Sequence, residues 1–189
     1  MEKLRDKFNS AESAILKENY EEAFALYKEL SEAGYDSCFT MLGSLYFMGK
    51  GTKKNNIEAE RWLRMSAENG YLDGQFYLAK LYWEDNEADV VIDILNGLVK
   101  KDYSPAIFRL GRFFEDGTFV KRDTDTAMEY YRKAMECGHV FGENRYGLML
   151  LKGYGGFRYI PKGIIMYIRS FVKGIRIAGK FPLDDSIRT

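Results

Sequence analysis

Residues 59–85, AERWLRMSAENGYLDGQFYLAKLYWED, decide how this chain folds. Ala59, Leu63, Ser66 and Ala67 recur at i, i+4, i+7 and i+8, the spacing of one helical face, before Gly70 ends the run. A second run follows, with Gly74, Leu78, Ala79 and Tyr82. The stretch predicts a helix of about 14 residues, a glycine turn and a helix of about 12. Gly70 suits the site just past a helix C-terminus, where φ is positive and a Cβ is costly.

Outward from this stretch the same positions return at offsets of 36, 32 and 36 residues. Ala59 has counterparts in Ala23, Val91 and Ala127, and Gly70 in Gly34, Asp102 and Gly138. Aspartate is tolerable at 102 because it is among the few residues that visit positive φ. Small residues recur on the second helix as Cys38/Gly43, Gly74/Ala79, Ala106/Gly111 and Gly142/Gly147. They are expected to let the first helix approach closely, with Tyr27, Leu63, Leu95 and Tyr131 filling the remaining space. Trp62 and Tyr130 are read as core aromatics. Ser104 and Pro105 read as N-cap and first helical residue.

Self-similarity at this period marks a solenoid, whose single units cannot bury their apolar faces alone. The fold class expected is all-α: a right-handed α-solenoid of antiparallel helix pairs, nine or ten helices with no sheet. The connections are Gly-rich and basic, GKGTKKN at 49–55, EDGTFVKRD at 115–123 and KGYGGFRYIP at 152–161. The second unit lacks such a loop and runs WEDNEADVV straight into the next helix.

The chain is 46% apolar and 30% charged with three prolines, which predicts an ordered globular protein. Its net charge of zero argues against a general nucleic-acid binder, which needs a basic face. Residues 152–189 nevertheless hold eight Lys/Arg against two Asp/Glu, or +6, leaving −6 for residues 1–151. That asymmetry points to an anionic partner for the C-terminal segment. The charged N-terminus has no apolar core of a secretory signal, and no apolar run is long enough to span a bilayer. A cytoplasmic location is expected.

The units resemble Sel1-like repeats, a branch of the tetratricopeptide superfamily, whose pattern is roughly A-x2-W/Y-Y-x2-A-A-x2-G, a small residue, then L-G-x2-Y-x2-G-x-G. Besides the opening stretch, AFALYKELSEAGYDSCFTMLGSLYFMGKG at 23–51 and AMEYYRKAMECGHVFGENRYGLMLLKG at 127–153 carry it. The resemblance covers about residues 11–156, with Val91 and Asp102 making the third unit the most divergent. It implies a bacterial or eukaryotic adaptor whose helix pairs hold a peptide or another protein. Some family members carry a disulfide in every repeat, but Cys38 and Cys137 do not sit at paired positions.

Catalytic and cofactor motifs are absent: no H-E-x-x-H, C-x-x-C, P-loop or G-x-S-x-G occurs. No metal, no cofactor and no enzymatic activity is expected. Cys38 fills a small-residue slot and reads as packing. His139 takes the place of Tyr35, Tyr71 and Tyr103 in the other units, so a packing role over the turn outweighs catalysis. The row Tyr35, Tyr71, Tyr103 and His139 could alternatively form an exposed aromatic ladder.

Residues 161–180, PKGIIMYIRSFVKGIRIAGK, depart from the repeat. Shifted by 36, Tyr167 falls on Tyr131, Ser170 on Ala134, Gly174 on Gly138 and Ala178 on Gly142, so one reading is a fifth first helix that caps the array. A cap should have a polar outer face. On a helical wheel Lys162, Arg169, Lys173, Arg176 and Lys180 instead form a narrow stripe on a broad apolar helix that includes Phe171. Such a helix suits an anionic membrane surface or a membrane protein. The expected organisation is a solenoid over residues 1–160 and a basic amphipathic helix and tail over 161–189. The function expected is a non-enzymatic adaptor for a protein or peptide, held at the membrane by that helix or capped by it. The rival is an accessory subunit of a membrane-bound enzyme system, such as bacterial cell-surface polysaccharide assembly.

Overall fold

The computed structural model describes the backbone of residues 2–178 and the side chains of residues 3–173. Ten α-helices and two single 3-10 turns make up the described residues, with no strand. They fall into two compact units, Met1–Glu87 and Ala88–Thr189. The first holds α1 (Glu2–Leu16), α2 (Tyr20–Glu32), α3 (Phe39–Met48), α4 (Asn56–Glu68) and α5 (Leu72–Glu84). The second holds α6 (Ala88–Val99), α7 (Ser104–Asp116), α8 (Thr124–Glu136), α9 (Val140–Leu151) and α10 (Ile160–Ala178). Within each unit every helix packs on the next in sequence.

The apolar slots read from the sequence are the core. Ala23, Ala59, Val91 and Ala127 are buried, as are Tyr27, Leu63, Leu95 and Tyr131. Trp62 is buried too, its ring 5.4 Å from that of Phe39, and Tyr130 stacks on Phe114 at 5.5 Å and 12°. Cys38 is fully enclosed, and burial pushes its thiol up to about 11, leaving it protonated and inert.

Each first helix stops for the same reason. Gly34, Gly70, Asp102 and Gly138 all have positive φ, between 53° and 87°. At the first of these the N–H of Gly34 donates to Ser31 O, and that of Tyr35 to Leu30 O. This is the double closure of a Schellman end, which satisfies two carbonyls the helix leaves open. The pattern recurs at Gly70/Tyr71, Asp102/Tyr103 and Gly138/His139. The residue after the left-handed position is extended and also opens the next element: Tyr71, Tyr103 and His139 open α5, α7 and α9, and Tyr35 opens the 3-10 turn Asp36–Cys38 that leads into α3. Tyr103, not Ser104, is therefore the N-cap of α7, and Ser104 and Pro105 are already helical. The connection lacking in the second unit is replaced by Asn86 at φ 60°, whose closure hands the chain to α6 within two residues.

The small residues divide by neighbour, which corrects the expectation that both serve the unit's own first helix. A Cβ on Gly74 would lie 2.4 Å from Ser66 Oγ, and one on Gly142 2.8 Å from Ala134 Cβ; both neighbours belong to the same pair. A Cβ on Gly43 would instead lie 2.7 Å from Leu63 Cγ, and one on Gly111 2.8 Å from Tyr131 Cε1. Both of these sit on the first helix of the following pair. The two slots lie five residues apart, about 140° round the helix, so one faces backward and one forward. Gly147 continues the rule by facing α10, 3.0 Å from Tyr167 N and 3.2 Å from Gly163 O.

Two buried tyrosines carry bonds that the repeat pattern does not announce. Tyr27 Oη donates to Glu12 on α1, and Tyr131 Oη to Glu115 on α7. Burial first, then the bonded carboxylate, pushes both phenols far above their ordinary range.

Candidate functional site

Two places were singled out by the sequence: the aromatic row at the turns and the C-terminal helix. The row sits where Schellman closure meets the next helix N-terminus. Tyr35 and Tyr71 are partly exposed, and Tyr71 Oη donates to Asp36 Oδ1 at 3.1 Å. Tyr35 lies beside Phe8, ring centroids 6.4 Å apart. Tyr103 is half-buried, as is His139.

His139 differs from the tyrosines because its side chain caps the helix it begins. Its Nδ1 accepts the Gly142 N–H at 3.1 Å, whereas Tyr71 and Tyr103 make no side-chain cap. The imidazole stacks on Phe108 at 4.5 Å and 21°. Burial, and secondarily the Arg109 charge, pulls its pKa from 6.5 to about 4. The cap agrees with that direction, since an accepting Nδ1 must be unprotonated.

Stability linkage follows. Between pH 6.5 and about 4 the unfolded chain takes up a proton that the folded chain refuses. The contribution is full above the unfolded pKa and is lost as the pH falls through that window, to an extent of about 1–3 kcal/mol. His139→Asn retains a capping acceptor but no titration there, so its stability should change less with pH over that window than the wild type's. Identical pH profiles by urea denaturation would show that His139 titrates normally.

The C-terminal helix docks on α9 through a narrow edge. A Cβ on Gly163 would lie 2.8 Å from Gly147 O and 2.9 Å from Leu151 N, so the two backbones touch at a glycine pair. Met166 and Ser170 complete the buried edge, and Ser170 Oγ lies 3.1 Å from Asn144 Nδ2. Gly163 stands 36 residues after Ala127, in the small slot of every first helix. The sequence thus contained the docking residue, which a helical wheel of α10 alone does not mark.

The cations expected to form one stripe do not share one environment. Lys173 Nζ reaches Glu143 Oε2 at 2.6 Å, and Arg169 Nε lies 3.5 Å from Glu143 Oε1. Glu143 is buried on α9, so Lys173 is drawn against the helix bundle. Arg169 remains 68% exposed, and Lys162 and Phe171 are exposed. Arg176 lies on α10 beyond the described side chains, and Lys180 lies outside the described residues.

Elsewhere, a surface groove of about 530 Å³ runs past Glu18, Asn19, Tyr20 and Gly51, and one of about 350 Å³ past Asp125, Glu129, Arg132 and Tyr146. Among the described residues no three His, Cys, Asp or Glu side chains are grouped to hold a metal. No described helix is long and apolar enough to cross a membrane.

The Sel1 repeat profile matches residues 12–35, 40–71, 104–139 and 140–170, more than half of the chain. The chain belongs to the Sel1 repeat family. The match passes over α5 and α6, where the shortened connection and off-pattern residues lie, and runs into α10. A Sel1 repeat protein from Oxalobacter formigenes superposes with a TM-score of 0.69 at 22% identity, over 88% of this chain and 69% of that one. A protective antigen of uropathogenic Escherichia coli with an SLR fold gives 0.66 at 24% identity, over 92% and 41%. These likenesses establish an all-α solenoid fold. An uncharacterised protein of Neisseria meningitidis serogroup B is 26% identical in an alignment 155 residues long that covers 64% of this chain and 33% of that protein. The chain thus spans about a third of that relative's length.

Proposed function

We propose that this chain is an adaptor, binding a protein or peptide along its helix surfaces in the cytoplasm; Sel1 repeat proteins commonly act in protein–protein interaction and are typically non-enzymatic scaffolds. The carrying observation is where its reactive groups sit. Tyr27, Tyr131, Cys38 and His139, all strongly shifted, are each absorbed by packing, a neighbouring carboxylate or a helix cap. Tyr82 is likewise tied to Glu60, its Oη donating at 2.7 Å, and Arg64 Nη2 donates to the same carboxylate at 2.6 Å. The exposed helix faces are charged, with surface ion pairs such as Lys54–Glu84 and Arg64–Glu60, and such faces suit recognition.

Affinity capture of the full-length chain with mass spectrometry should return one polypeptide at near-stoichiometric yield. Capture of nothing above background, together with turnover in an activity screen, would replace the adaptor by an enzyme. Service as an accessory subunit of a membrane-bound enzyme system is the runner-up, distinguished by what is captured. The membrane hold expected of residues 161–180 is a separate proposal with its own test.

A further inference from the structure

In every complete pair the large first-helix residue is fully buried: Tyr27, Leu63, Leu95 and Tyr131 are at most 1% exposed. Tyr167 occupies that slot on α10 and is 38% exposed, with Ile164 and Phe171 exposed beside it. No second helix follows α10 among the described residues, which explains those three. It does not explain Ile165, Ile168 and Val172, which are 68%, 58% and 44% exposed.

Those three positions lie on the side that other first helices turn to water. Thirty-six residues earlier they are Glu129, Arg132 and Glu136, and in α4 Arg61, Arg64 and Glu68, all exposed. In α2 and α6 the equivalent positions are again exposed and, apart from Ala25, polar. Only α10 puts branched apolar side chains there. One more helix laid on that pair face would still leave them in water, so the apolar surface is wider than one helix can bury.

Charge selects what covers it. From Lys152 to Leu183 the sequence has no acidic residue. Arg158, in the turn before α10, and Lys162, in its first turn, are exposed, and Arg169, 3.5 Å from Glu143, keeps most of its side chain in solvent beside the apolar arc. Phe157, just before α10, is 86% exposed. A two-fold pairing with a second copy would bring two acid-free cationic strips together, which is unfavourable. A broad apolar arc flanked by cations and preceded by an exposed aromatic matches an anionic bilayer interface, into which a helix lies flat.

We infer that the outer face of α10, led by Ile165, Ile168 and Val172, seats the protein on an anionic lipid bilayer. This goes beyond the adaptor reading and does not depend on it. Lys173 takes no part, because Glu143 holds it against α9.

Flotation of the full-length protein tests it, with vesicles of phosphatidylcholine alone and of phosphatidylcholine mixed with phosphatidylserine. The wild type should float only with the mixed vesicles. Ile165→Gln/Ile168→Gln/Val172→Gln should lower vesicle partitioning at least about tenfold. Its helicity and melting should persist, since α8 is polar at the same positions. Arg158→Gln/Lys162→Gln should lower partitioning by about fivefold per cation and flatten its salt dependence. No flotation with mixed vesicles, or flotation of the triple glutamine variant equal to wild type, overturns the inference. Equal flotation with neutral vesicles overturns the choice of anionic lipid. Concentration-dependent dimers that the triple variant abolishes, without flotation, assign the face to a second copy and overturn it likewise. Partner capture is read separately, so a negative flotation result leaves the adaptor proposal standing.

Discussion

Tyr131→Ala is expected to cost about 3–5 kcal/mol, the range for removing a fully buried aromatic ring. The ring lies in a cluster with Ala127 and Met149, 5.6 Å from Phe108, against the space left by the missing Cβ of Gly111. The cavity would be lined by α7, α8 and α9 together, leaving little freedom to collapse. Tyr131→Phe separates the two parts of the effect. It keeps the ring and deletes the bond to Glu115, which still has Arg145 at 3.6 Å, so a loss of about 1–3 kcal/mol is expected. Urea denaturation followed by circular dichroism measures both. An alanine variant that costs less than about 1 kcal/mol would mean the ring is not in the core.

Gly163→Leu should cost about 1–3 kcal/mol by overpacking and push α10 from α9. Two of the three atoms nearest its ideal Cβ are backbone, Gly147 O at 2.8 Å and Leu151 N at 2.9 Å, and backbone cannot swing aside as a side chain can. The carboxylate of Glu143, set between Lys173 and Arg169, would lose that register as well. Protease resistance of the α9–α10 segment is the sensitive measurement. Unchanged resistance and unchanged unfolding would show that the glycine pair is not a contact.

The repeat register was legible because it combines two signals: helical spacing and a residue able to take positive φ at one fixed place. Asp102 could be placed among three glycines only because both signals coincide there. The direction faced by each small residue was not legible, since a small side chain satisfies a backward and a forward neighbour equally. Gly43 and Gly74 look alike in sequence, yet one touches Leu63 of the next pair and the other Ser66 of its own. The Tyr27–Glu12 and Tyr131–Glu115 bonds span 15 and 16 residues between helices, separations that no helical periodicity marks.

On the C-terminal helix the composition was legible and the orientation was not. A wheel ranks faces by bulk, whereas close helix packing selects the least bulky edge, here Gly163, Met166 and Ser170. That choice turns Ile165, Ile168 and Val172 outward. It also splits the cationic stripe, because the buried Glu143, invisible to any reading of α10 alone, captures Lys173. The aromatic row owes its regularity to backbone closure: the residue after the positive-φ position ends one helix and starts the next helical turn, a 3-10 turn after Tyr35 and an α-helix after the other three.

We propose that the chain acts through a surface built from several repeats, with Tyr27, Tyr131, Cys38 and His139 serving the fold. Hydrogen exchange of the full-length protein, alone and with its captured partner, tests this most directly. Each repeat contributes a small share of such a surface, so protection on binding should spread over helices from several repeats. Protection confined to one pocket-sized cluster of residues would contradict it.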